Sequence, residues 1–193
     1  ITLNSTTVTD AVLNTADITL NSVGSTAAVL VDGVVPTVTS VDVPANSTYA
    51  IGSTLDFTVN FSETIVVTGT DSTLSLTFGS GTVNAGYLSK TGTSITYQYT
   101  VVAGDEDTDG IAVGSITLNS TTVTDAVLNT ADMTLNSVGS TASVLVDGIV
   151  PTVTSVDVPA DGSYKAGTAL SFTVNFSENI TVSGTDSTLS LTF

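Results

Sequence analysis

The chain copies itself, and no other feature restricts its architecture as much. Ile1 to Asp10 (Ile-Thr-Leu-Asn-Ser-Thr-Thr-Val-Thr-Asp) returns unchanged as Ile116 to Asp125, which sets a period of 115 residues. The correspondence runs on to Phe78 against Phe193, and 64 of the 78 overlapping positions are identical. Differences concentrate between Asn46 and Thr68, such as Ala50 against Lys165 and Asp56 against Ser171. A period this long is a whole domain, since solenoid units are far shorter and must stack to bury a core. The chain therefore reads as a stretch of a tandem array. Asp32-Gly33 and Asp147-Gly148 precede Val-Val-Pro36 and Ile-Val-Pro151, in each case a turn leading into an extended start. That boundary makes residues 1–32 the end of one repeat, 33–147 a complete repeat and 148–193 the beginning of the next.

Thr, Val, Ser and Gly dominate, while Glu, Lys, Gln and Arg are scarce, so strands are expected throughout and no helix. Leu55-Asp-Phe-Thr-Val-Asn-Phe61 alternates cleanly, with Leu55, Phe57, Val59 and Phe61 inward and Asp56, Thr58 and Asn60 toward water. Pro36 to Val43, Ile65 to Val67, Leu74 to Phe78, Val83 to Leu88, Ile95 to Val102, Ile111 to Leu118 and Met133 to Val146 supply the other strands. Pro44-Ala-Asn-Ser is expected to be a turn, and Thr124 to Asp132 a polar loop. About eight strands in about 115 residues is the density of a sandwich. The fold class is all-β: tandem immunoglobulin-like β-sandwiches, one complete domain flanked by two partial ones.

Gly104-Asp105-Glu106-Asp107-Thr108-Asp109-Gly110 stands out among these apolar strands. Aspartates at alternate positions closed by a glycine can surround one hard cation, and the spacing matches the first half of a helix-flanked calcium loop. The glutamate that would complete such a loop falls at Ile116, so the remaining ligands must come from elsewhere. The alternative is a solvated acidic turn, because Asp and Gly favour turns. Composition narrows the chemistry further. The chain has 18 acidic and 2 basic side chains, a formal charge of −16, and no His or Cys. Nucleic acids and anionic membranes are excluded as partners, because phosphate binding needs Lys and Arg. Zinc, copper and iron lack their usual ligands, which leaves oxygen-ligated Ca2+ as the expected cation. No apolar run is long enough to span a membrane.

Val35-Pro-Thr-Val-Thr-Ser-Val, Phe57-Thr-Val-Asn-Phe-Ser-Glu63, Tyr99-Thr-Val-Val-Ala-Gly-Asp-Glu-Asp-Thr-Asp-Gly110 and Val123-Thr-Asp-Ala-Val-Leu-Asn129 together resemble the immunoglobulin-like, loosely cadherin-like extender repeats of giant bacterial surface adhesins. Such repeats usually carry a glycine before that last asparagine, where this chain has Leu128. The resemblance implies an extracellular, calcium-rigidified stalk between a cell surface and a distal binding domain.

Sandwich topology groups the acids into junctions between repeats. Asp105, Asp107 and Asp109 should lie at the trailing end of the complete repeat beside Asp147, facing Glu178 of the next. Asp32 and Glu63, with Asp125, Asn129 and Asp132, should form the matching site at the leading end. Calcium there would hold neighbouring repeats of the chain at one angle, and without it the Val-Asp-Gly linker should flex. An enzyme is not expected, since the acids lie in loops without His, Cys or an arginine-lined cleft. Lys–Asn crosslinks are not expected either, because Lys165 aligns with Ala50 and Lys90 has no repeat partner. Two function classes remain. One is a mechanical spacer of a cell-surface adhesin; the other is a subunit that assembles laterally with copies of itself into an extracellular filament or sheath, for which a long unblocked edge strand would argue.

Overall fold

A computed structural model of the chain describes residues 1–192; Phe193, where the third sequence-defined segment ends, lies outside them. The chain divides into two compact units, Ile1–Val34 and Val35–Phe193. The break falls two residues after Asp32, and the residues from Gly148 on belong to the same unit as the complete repeat. Every regular element described is a strand. Among the described residues no helix is long and apolar enough to cross a membrane.

The larger unit contains β1 (Val38–Asp42), β2 (Ser47–Ala50), β3 (Thr54–Phe61), β4 (Val66–Thr68), β5 (Thr73–Phe78), β6 (Gly81–Thr91), β7 (Ser94–Thr100), β8 (Glu106–Asp107), β9 (Ala112–Thr117), β10 (Thr122–Thr124), β11 (Val144–Asp147), β12 (Val153–Asp157) and β13 (Thr173–Phe176). A six-stranded sheet runs β1-β3-β7-β6-β5-β9, faced by the smaller sheets β2-β11-β8 and β10-β4, an arrangement consistent with a β-sandwich. Among the described residues all strand pairings are antiparallel except β11 on β2, where Val144 to Asp147 run beside Ser47 to Ala50.

The core follows from side-chain alternation. Leu55, Phe57, Val59 and Phe61 of β3 are buried, as are Ile95 and Tyr97 of β7 and Leu74, Leu76 and Phe78 of β5. Val38 and Val41 close it from β1, and Val123, Val144 and Val146 from the opposite side. The buried Tyr97 hydroxyl donates to Ser72 Oγ, so the ring enters the core without leaving its oxygen unpaired. On the outer face, Asn60 Nδ2 donates to Ser40 Oγ and Asp42 Oδ2, and Asn175 repeats both bonds to Ser155 and Asp157.

Three expected elements differ. Met133 to Val146 is not one strand: only Val144–Asp147 is, and the preceding stretch touches β1 through a single bridge, Val41 to Val138. Asn136, Ser137 and Gly139 break it, with Ser137 at φ 47°. The turn after Pro44 gives way at Ser47 to β2, whose partner β11 lies far along the chain and is invisible to local pattern. Within the acidic loop Glu106–Asp107 forms β8, again on β11.

Among the described residues the smaller unit has no strand longer than a bridge, Thr9 to Thr15. Its turns nevertheless match those of residues 116–147. Asp10 Oδ1 accepts the Val12 and Asn14 N–H groups, as Asp125 Oδ1 accepts those of Val127 and Asn129. Leu13 and Leu128 both take left-handed backbone, at φ 70° and 72°. Leu128 thus sits in the conformation glycine would relieve, with 77 % of its surface exposed and little packing to compensate. Leu128→Gly should therefore stabilise the larger unit by about 0.5–1 kcal/mol, read as a rise of a few degrees in melting temperature.

Candidate metal centre

Strand directions fix two ends of the larger unit. Pro36, Glu63, Asp125 and Asp132 gather at the leading end, because Thr37 bridges Asp132, Asp132 N–H donates to the Pro36 carbonyl, and Thr124 pairs with Val66. The acidic loop lies at the trailing end, where Gly148 N–H donates to the Asp105 carbonyl at 2.7 Å and Gly104 N–H to that of Gly148 at 2.9 Å. A Cβ on Gly148 would lie 2.4 Å from the Val102 carbonyl oxygen, so only glycine lets the chain leave so close to the loop.

Within the loop the aspartates have separate tasks. Asp105 is buried, and its Oδ2 accepts the Tyr99 hydroxyl at 2.9 Å and the Val102 N–H at 2.8 Å. Desolvation, then the Asp105 hydrogen bond and charge, push the Tyr99 phenol up to about 12, which keeps it a donor. Asp107 is also buried. Its Oδ2 accepts the Gly79 N–H at 2.9 Å and its Oδ1 the Gly110 N–H at 2.6 Å, tying the β5–β6 turn to the loop. Gly110 has φ 105°, and an added Cβ would meet Ala142 Cα at 2.6 Å. Asp109 is exposed. Among the described residues, the three loop carboxylates do not come within 4.8 Å of one another as a set. Asp105 and Asp107 serve first as anchors of a turn.

Of the expected trailing-end set, Asp107, Asp147 and Glu178 line one cavity of about 380 Å³, together with Glu106 and Thr48; Asp105 and Asp109 do not. Asp147 Oδ1 accepts the Ile149 N–H at 3.2 Å. Glu178 is half-buried, and its Oε1 is shielded from solvent without a hydrogen-bond partner. A buried oxygen of this kind suits a hard cation, because an ion would supply the missing positive partner. Glu106 was missed by sequence reasoning, which took only the alternate aspartates; its one signal was acidity at the register that faces outward.

At the leading end, Glu63 and Asp125 bring carboxylate oxygens within 4.8 Å of each other. The last residue of β3 is Phe61, so Glu63 follows it directly into the loop; Asp125 follows β10. Asp125 is buried in a cage made by its own loop: Val127 N–H at 2.9 Å, Asn129 N–H at 2.8 Å and Asn129 Nδ2 at 2.7 Å. Desolvation raises its pKa, but the Asn129 side-chain and backbone bonds outweigh this and hold the carboxyl below its ordinary value. Asn129 thus orients Asp125. Asp132 accepts the Thr134 N–H at 2.9 Å, and that bond lowers its pKa. In the smaller unit, Asp32 is exposed and accepts the Val34 N–H at 3.1 Å.

Two outcomes follow. Asp107→Ala should cost about 2–3 kcal/mol by stranding two backbone donors, even with a calcium chelator present, whereas Asp109→Ala should change chelated stability by less than about 0.5 kcal/mol; denaturant titration compares them. Asp125 and Asp132 have folded-state pKa values below the unfolded carboxylate value of about 4. Their contribution is then complete above that value and lost as pH falls through the lower, folded one. Denaturant midpoints should drop between pH 6 and pH 3, and Asp125→Asn should flatten that slope. The chain matches no protein-family model, no curated protein and no solved structure.

Proposed function

We propose that the chain is a structural stalk of tandem immunoglobulin-like repeats in a large secreted bacterial surface adhesin, stiffened by calcium at the junctions between repeats. The observation that carries the reading is the approach of Glu63 to Asp125 at the leading end, with carboxylate oxygens within 4.8 Å. Two like charges so close repel unless a cation lies with them. The repeat makes the argument general. Glu178 is the equivalent of Glu63, and Asp147 the equivalent of Asp32, one period of 115 residues earlier in each case. Asp147 and Glu178 share a cavity, so the last aspartate of one repeat and the post-β3 glutamate of the next belong to one site. Its ligand set is therefore Asp32, Glu63 and Asp125 at the first junction, with Asp147 and Glu178 as the corresponding part of the second. Calcium suits these hard, anionic oxygens and tolerates the irregular geometry of loop ligands.

The composition supports a spacer over a catalyst: the acids gather at the ends of the sandwich, and its faces carry Thr, Ser and Asn. The alternative, an extracellular filament or sheath assembled from copies of the chain, draws on β9, an edge strand of the six-stranded sheet that pairs with β5 alone.

Thermal melts of the whole chain with calcium and with chelator test the stalk. Saturation at about 100 times the dissociation constant adds about 2.7 kcal/mol per site, a rise of several degrees. Glu63→Gln should remove most of that rise, while Asp109→Ala should leave it intact. X-ray scattering should show a longer, stiffer particle with calcium. Identical melts and scattering in both conditions would sink the reading.

A further inference from the structure

Residues 1–32 and 116–147 differ only at Ile18 against Met133 and Ala28 against Ser143. The two copies have opposite fates. In the larger unit Val123, Val144 and Val146 are buried, with β10 on β4 and β11 on β2. In the smaller unit the corresponding Val8, Val29 and Val31 are exposed, Val31 by 93 % against 1 % for Val146. The exposed copy already holds the local shape of the docked one. Thr6 N–H to Leu3, Asp10 N–H to Asn14, Ala16 N–H to Val8 and Val29 N–H to Thr26 reproduce Thr121 to Leu118, Asp125 to Asn129, Ala131 to Val123 and Val144 to Thr141. The molecule thus carries one docking place and two segments shaped for it.

We propose that residues 1–32 of one copy of the chain dock on the 35–115 body of a second copy in place of its residues 116–147, linking the two by segment exchange. The segment of the same copy cannot do this. Docked like residue 147, Asp32 would lie at the trailing end of the unit, while Val35 begins at its leading end. Gly33 and Val34 reach about 10 Å at most, whereas the eight residues of β3 alone span about 27 Å. In trans the connection is unstrained, because Asp32-Gly33-Val34 then leaves the body as Asp147-Gly148-Ile149 does. The exchanged segment packs as the one it replaces, since neither substitution falls on Val123, Val144 or Val146. Exchange therefore depends on concentration alone, with the intramolecular segment acting at an effective concentration of about 1 mM. It proceeds while the body is open, during folding or refolding. The inference does not depend on calcium. Its partner is a second copy, and its product is a lateral link between chains.

The absence of cysteine provides a clean test. Thr48 lies opposite Leu145 in the β2–β11 register, and Leu30 is the equivalent of Leu145. The whole chain carrying Leu30→Cys and Thr48→Cys is refolded, oxidised and separated under non-reducing denaturing conditions. A chain carrying Leu145→Cys and Thr48→Cys should close within itself and shows that the position accepts a disulfide. The Leu30/Thr48 pair should crosslink between chains in about half the material refolded at 1 mM, and about 50- to 100-fold less at 10 μM. Adding Val29→Asp and Val31→Asp should abolish it. The proposal is overturned if the control closes while the Leu30/Thr48 pair links only within a chain, or not at all. It is equally overturned if the intermolecular yield ignores concentration or the two aspartates.

Discussion

The parallel pairing of β11 with β2 is the contact on which the larger unit depends. β11 lies between β2 and β8, so one strand of four residues ties the beginning of the unit, its acidic loop and its end together. Val144 and Val146 carry the apolar part of that contact into the core, and Asp147 ends the strand at the junction. Ser47 and Val144 are 97 positions apart, so the backbone between them must be ordered before their bonds form. Loop-closure entropy makes such pairing all-or-none: the unit closes completely or not at all.

Acidic side chains take two parts in this architecture. Asp105, Asp107 and Asp125 point their oxygens at backbone N–H groups, where most proteins would use a capping side chain or water. A carboxylate does this well, because a charged acceptor strengthens each bond and several can converge on it. With only 2 basic residues in the chain, salt bridges can compete for very few of its carboxylates. The remaining carboxylates gather where repeats meet, and their mutual repulsion makes the junction sensitive to the ionic environment. Turn anchors and junction ligands are thus drawn from one residue type and separated by position: the anchors lie inside loops, the ligands at the ends.

The β3 pattern was legible because Leu55, Phe57, Val59 and Phe61 alternate with polar residues over the whole strand, and each inward position is buried. The placing of Asp147 beside Glu178 was also legible, since strand count alone determines which loops share an end. β2 was not. Ser47-Thr-Tyr-Ala has no alternation of its own and becomes a strand only through β11. Met133 to Ser143 failed in the opposite sense: its apolar residues suggest a strand, but backbone turned at Ser137 interrupts it. The acidic loop misled because spacing shows which residues alternate but not which oxygens are already engaged by Gly79, Gly110 and Tyr99.

The self-sufficient turns around Asp10 and Asp125 bear on the order of folding. Bonds that span four residues form on the microsecond scale of local structure, and they hold in Ile1–Val34 without any sandwich around them. The β2–β11 pairing must wait for the last residues of the repeat. During synthesis or export from the N-terminus, each repeat therefore passes through a state with finished loops and an open side, and the arrival of its own final strand times the closure. The rate at which the chain emerges, more than the stability of the finished domain, governs how long that side stays open.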